Sequence, residues 1–166
     1  MRPSAFVLCG SAVLGLALLV LAVPGWAQDT PKDRATLKGI QALQVVVEET
    51  PEAERDGPPK AQLEAEIESR LRHAGIPVMR SANSVLYVSV TAAKSDAGQA
   101  YPYVLSATVE QPVQDPRNPE SLRPCATWGL SRFGTVEAAR LPTVRSDVAA
   151  LVERFINAYL EQNPKR

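Results

Sequence analysis

Two periods organise the hydrophobic and polar positions of this chain. Strict alternation comes first, in "QALQVVVEE", where Leu43, Val45 and Val47 fall on one side of an extended segment. A strand is expected over about 41–48. The charged, proline-rich "TPEAERDGPPK" that follows reads as loop. Over about 59–74 the period lengthens, with Leu63, Ile67 and Leu71 four apart and Ala74 continuing the stripe, which predicts an amphipathic helix. Its proline pair suits a first turn. Gly75 suits the left-handed residue after the helix, with Ile76 folding back onto the last turn.

Alternation then returns. "IPVMR" reads as a short strand, and "VLYVSVTA" places Leu86, Val88 and Val90 on one face. "AYPYVLSATVEQ" does the same with Tyr103, Leu105, Ala107 and Val109, and "CATWGLSRFG" with Ala126, Trp128 and Leu130. Between these two lies 112–122, "PVQDPRNPESL", read as a long excursion and the most loop-like candidate for contact. A last helix is expected over 144–163, its stripe formed by Val144, Val148, Leu151, Val152, Phe155 and Tyr159. Thr143 is its N-cap and Pro164 its stop.

The order β-α-β-β-β-α predicts an α+β fold, a largely antiparallel sheet with two helices packed on one face. The other face is then open to water or to a partner. Alternation assigns to that face Tyr87, Ser89 and Thr91, then Val104, Ser106 and Thr108, then Cys125, Thr127, Gly129 and Ser131. Small hydroxyl side chains are common on any solvated sheet. The same residues also suit a smooth polar docking face, and the candidate contact set is Tyr87, Ser89, Thr91, Ser106, Thr108, Cys125, Thr127 and Ser131.

The amino terminus changes the setting. Arg2 precedes an apolar run from Ala5 to Val23, a Pro24–Gly25 break, and small residues Gly25 and Ala27 before Gln28, the pattern of an export signal cut after Ala27. The rival reading is an uncleaved membrane anchor. Cys9 lies inside the run behind Leu8, where a lipobox requires a small residue. Removing residues 1–27 from 166 leaves 139, read as a flexible lead-in 28–39, a single domain 40–163 and a tail 164–166. Only Arg2 among charged residues is removed, so 17 Lys and Arg face 18 Asp and Glu, a balance unlike that of a nucleic-acid binder. One cysteine, Cys125, remains for an oxidising compartment.

Chemistry is sparse. His73, the sole histidine, suits the carboxyl end of the first helix. One Cys and one His cannot build a closed zinc site, and no Walker loop, GxGxxG or GxSxG occurs, so no metal, cofactor or catalytic residue is assigned. Glu64, Glu66 and Glu68 beside "RLR" read as a solvated helix face, and Asp96 and Gly98 as turn residues.

In element order, 40–163 resembles small exported α+β domains of bacterial envelopes. Among these are the amino-terminal domain of the Tol-system propeller protein, the periplasmic domain of the curli secretion channel and the lipopolysaccharide-assembly lipoprotein. The ending "LVERFINAYLEQNPK" after a tryptophan strand is similar to uncharacterised proteobacterial exported proteins. The missing lipobox departs from the lipoprotein members. The resemblance carries no functional residues. The expectation is a non-catalytic periplasmic or secreted domain that binds another envelope component. The alternatives are a small-ligand carrier with a pocket between sheet and helices near Trp128, and then a thiol-dependent enzyme.

Overall fold

A computed structural model describes residues 29–95 and 100–164. The segment read as an export signal, Cys9, Asp96 and Gly98 lie outside the described residues. The chain forms α1 (Pro31–Ala35), β1 (Leu43–Glu49), α2 (Pro51–Asp56), α3 (Lys60–His73), β2 (Ser84–Ala92), β3 (Ala100–Asp115), β4 (Asn118–Glu137), a 3-10 segment (Ala138–Thr143) and α4 (Val144–Gln162). The fold is α+β, with one sheet in the order β1-β2-β3-β4.

β1 and β2 run parallel, Val45 opposite Leu86, and the remaining pairs are antiparallel. The sheet is therefore mixed, because α3 carries the chain back to the end from which β1 started. "IPVMR" contributes a single bridge, Val78 to Leu43, instead of a strand. Of the residues expected to face inward, Leu86, Val88 and Val90, Leu105, Ala107 and Val109, Trp128 and Leu130 are buried, against Leu63, Ile67 and Leu71 of α3 and Val148, Leu151, Val152 and Phe155 of α4, and Ala126 is not. Trp128 and Phe155 meet with ring centroids 5.2 Å apart and planes tilted by 60°. Burying two rings of this size is among the largest single contributions a core of this volume receives.

α3 ends as expected. Gly75 has φ +83°, its N–H donates to the Arg72 carbonyl at 3.0 Å, and the Ile76 N–H donates to the Leu71 carbonyl at 2.9 Å. Ile76 and Leu71 are both fully buried, which closes the cap with an apolar contact.

Three expectations are corrected. Residues 112–122 are not an excursion: β3 runs to Asp115 and β4 starts at Asn118, so the prolines lie within and at the tip of a long two-stranded ribbon. "TPEAERDGPPK" holds α2, seated by buried Ala53 and by the Tyr101 hydroxyl donating to Asp56 at 2.9 Å. The stretch read as a flexible lead-in is ordered from Asp29 onward. Thr30 and Asp33 form a capping box on α1, and Leu37 and Ile40 enter the core.

Asp29 anchors that segment. Its side chain, 5% exposed, accepts from Arg34 Nε at 2.7 Å, from the Trp128 indole at 3.1 Å and from Arg154 at 3.4 Å. Burial alone would raise its pKa. The bonds from Arg34 and Trp128 outweigh that and hold the carboxyl below its ordinary 3.8. A lowered acid pKa stabilises the fold above the unfolded value and loses that contribution as pH falls through the folded one. Asp29→Asn is therefore expected to cost about 1–3 kcal/mol at pH 7. In urea unfolding the gap from the native chain closes as the pH drops below 3.8.

Candidate functional site: the open face of the sheet

Among the described residues, α3 and α4 pack on one side of the sheet, and on the other only Asp33 of α1 comes up beside Thr108 and Gly129. Strand register lays its residues out in rows. One row is Gln44, Val85, Glu110 and Ala126. The next is Val46, Tyr87, Thr108 and Gly129, followed by Glu48, Ser89, Ser106 and Ser131. Beyond them stand Thr91, Val104 and Phe133. Ser89 and Ser106 share a hydrogen bond at 3.0 Å across the β2–β3 pair. Phe133 is 70% exposed and its cross-strand partner Val104 45% exposed, so an apolar pair closes one end of a hydroxyl-lined floor.

Six of the eight candidate residues come together there: Tyr87, Ser89, Thr91, Ser106, Thr108 and Ser131. Cys125 does not, and Thr127 reaches only the margin, lining a small cleft with Thr108 and Gly129. The register shifts between Val109 and Glu110, so Trp128 pairs with Val109 while Ala126, not Thr127, pairs with Glu110. A bulge at Thr127 thus inserts one residue and reverses the phase of everything before it. Ala126, expected inside, is exposed on the open face, and Cys125 takes the inner phase opposite Gln111. Cys125 is nevertheless exposed, because it lies where the ribbon has left the helices. Thr127 is used locally: its hydroxyl accepts from Gln111 Nε2 at 2.6 Å, and its carbonyl accepts from Thr36 Oγ1 at 3.0 Å.

Phe133 is the contributor that the strand pattern missed. Continuing the alternation two residues past Ser131 reaches it. Behind the sheet at the same end, Gly134 leaves room for Tyr103: a Cβ on Gly134 would stand 2.6 Å from the Tyr103 hydroxyl. That hydroxyl donates to Asp147 of α4 at 2.5 Å, and burial followed by this bond pushes its pKa up to about 12. Asp147 also pairs with Arg132 at 2.7 Å.

The other clefts are built differently. An open cleft of about 540 Å³ at the start of α4 is lined by Glu66, Arg70 and Arg145. Glu66 accepts from Arg70 at 2.9 Å and Arg145 at 2.6 Å. Burial works to raise its pKa, and those two bonds reverse the shift and lower it. The group is a clamp between α3 and α4. Glu68 pairs with Arg72 at 2.7 Å. His73 Nδ1 donates to the Ser69 carbonyl at 2.8 Å at the end of α3.

Glu49 is the exception among the acids. Opposite Val90 on the inner phase, both its carboxylate oxygens are shielded and lack a hydrogen-bond partner. Desolvation first, then Glu54, raises its pKa above 4.5 against the opposing pull of Lys60.

No protein-family model and no curated protein matches this chain. Among solved structures, it is similar to a PelC dodecamer from Paraburkholderia phytofirmans in space group P6. The identity is 14% and the TM-score 0.40, over 87% of this chain and 98% of that one. A single-residue variant of the same dodecamer in space group C2 gives 14% identity and a TM-score of 0.41, over 82% and 95%.

Two outcomes follow. Ionising Glu49 costs the folded state nothing below 4.5 and progressively more as pH rises through its raised folded pKa. Glu49→Gln should raise the melting temperature at pH 8 and leave it unchanged at pH 4. Cys125, exposed on the ribbon, should react with a maleimide in the folded protein at close to its rate in urea.

Proposed function

We propose that this chain is an exported, non-catalytic domain of the cell envelope that holds another envelope component on the open face of its sheet. The observation that carries the reading is a sheet face that no long helix among the described residues covers, with Phe133 and Val104 exposed side by side at its end. A monomer gains nothing from keeping that apolar pair in water. Periplasmic or secreted location rests on the pattern of residues 1–27, cleaved after Ala27.

The carrier reading needs a cavity between sheet and helices at Trp128. Toward α4 that space is packed, Trp128 lying on Phe155 and Phe155 lying 6.1 Å from Tyr159, and the cleft that Trp128 does line, about 250 Å³, opens beside Asp33, Thr108 and Gly129 instead. A thiol-dependent reaction would join Cys125 to His73, whose Nδ1 is bonded to the backbone at the end of α3.

The test is photo-crosslinking in cells that export the protein. Thr108→p-benzoylphenylalanine should give a discrete adduct, and the same replacement at Glu153, exposed on α4, should give none. Tyr87→Ala, with its circular dichroism unchanged, should weaken the adduct. Adducts from α4 alone would defeat the reading.

A further inference from the structure

We infer that the open sheet face selects a protein partner by positive charge, docking a polypeptide segment that carries Lys or Arg beside an apolar side chain. This rests on the proposed function and goes one step past it, from a face that binds to the chemistry of what it binds.

Charge is divided unevenly between the two sides of the sheet. Although the whole chain holds 18 basic and 18 acidic residues, the described rows of the open face carry no Lys or Arg. They carry three glutamates: Glu48 on β1, Glu110 on β3, and Glu137, which pairs with Ala100 and continues the phase of Phe133. On the helix side Glu66 pairs with Arg70 and Arg145, Glu68 with Arg72, Glu153 with Arg70, and Glu161 with Arg34, whereas Glu49 has no hydrogen-bond partner. Among the described residues none of the three face glutamates has an ion-pair partner. The face glutamates therefore stand without counter-ions, whereas the helix side holds the arginine–carboxylate pairs just named.

Geometry then narrows the partner. Glu110 and Glu48 stand two strands and two rows apart, roughly 10 Å across and 13 Å along the strands. Between them lie Val46, Val85, Tyr87 and Thr108, with Ser89 and Ser106 continuing the row of Glu48. Val104 and Phe133 follow on the far side of that row. A ligand must offer cations and an apolar group at fixed separations of this size, which a strand or helix of a protein does. Two copies packed face to face bring two sets of glutamates and no Lys or Arg to the interface, which disfavours that pairing. An anionic lipid surface or a nucleic acid is repelled for the same reason.

The experiment repeats the Thr108→p-benzoylphenylalanine crosslink in Glu48→Lys/Glu110→Lys and in Glu64→Lys/Glu153→Lys, which changes charge equally on the helices. Folding of both is checked by circular dichroism. Reversal on the face should cut the adduct by about tenfold or more, as expected for losing two interfacial charge pairs, and the helix variant should leave it intact. In parallel, isotope-labelled mature protein is titrated with a synthetic peptide of alternating Lys and Leu and with its Glu–Leu counterpart. Shifts confined to the face rows, seen only with the Lys peptide and lost at high salt, support the inference. An adduct indifferent to the reversal overturns it and leaves the binding face standing. An adduct that protease does not shorten overturns the choice of a protein. No adduct from the face at all removes both readings.

Discussion

Trp128 is where three separate segments are tied to one another. Its ring lies against Phe155 of α4, its indole N–H reaches Asp29 ahead of α1, and its backbone stands opposite Val109 of β3. An indole buried in a core must find an acceptor for its one donor. Asp29 supplies it, and a buried carboxylate in turn needs cations, which Arg34 and Arg154 supply. One aromatic side chain thus recruits an N-terminal segment and a pair of arginines that no local pattern would place together. The same residue sets the sheet. For Trp128 to point inward while the ribbon keeps its pairing, one extra residue must be absorbed, and the bulge at Thr127 absorbs it.

That bulge also marks the limit of what the sequence discloses. Strand phase is legible wherever alternation is unbroken: the inner and outer sets of β2 and of β3 up to Val109 are as the hydrophobic pattern predicts. The cap of α3 is legible because only glycine tolerates its φ of +83° at no cost. A bulge leaves no trace in composition, so phase counted from Trp128 back to Cys125 comes out inverted. Proline counts misled in the other direction. Pro112, Pro116 and Pro119 suggest loop, yet only Pro116 lies in the turn, and a strand accepts proline where its nitrogen faces a free edge. α2 and α1 are too short for a period to show, and their positions are fixed by tertiary contacts, Ala53 and Tyr101 for one and Asp29 for the other.

The candidate face was legible for the same reason as the strands that bear it. Its hydroxyl floor follows from alternation alone, whereas its charge does not. Glu48, Glu110 and Glu137 are far apart in sequence and become one feature only through register across four strands. Their isolation depends on the helix side as well. Arginines such as Arg70, Arg72 and Arg145 project from helices on the opposite side and are taken up there by helix acids. Net charge near zero hides this division completely. The Debye length in physiological salt, about 8 Å, is shorter than the spacing of these carboxylates, so each acts on its own part of a ligand and the set reads charges at separate points.

The edges of the sheet bear on how anything can bind. β4 is long and its outer side unpaired, an arrangement that ordinarily invites another strand. Here Pro112 stands opposite Pro124, and since neither has an N–H, the pair falls at a non-hydrogen-bonded position with both nitrogens on the free edges of the ribbon. Each edge loses a donor at the same level. Farther along β4, the bulge carbonyl of Thr127 is taken by Thr36 beside α1. Strand addition is thereby hindered at the sites where it would begin, and main-chain pairing with its indifference to sequence is disfavoured. What remains accessible is the face, where contact is made by side chains. A surface that guards its backbone and exposes its side chains recognises by charge and shape, and so can discriminate between partners in a way that an open edge cannot.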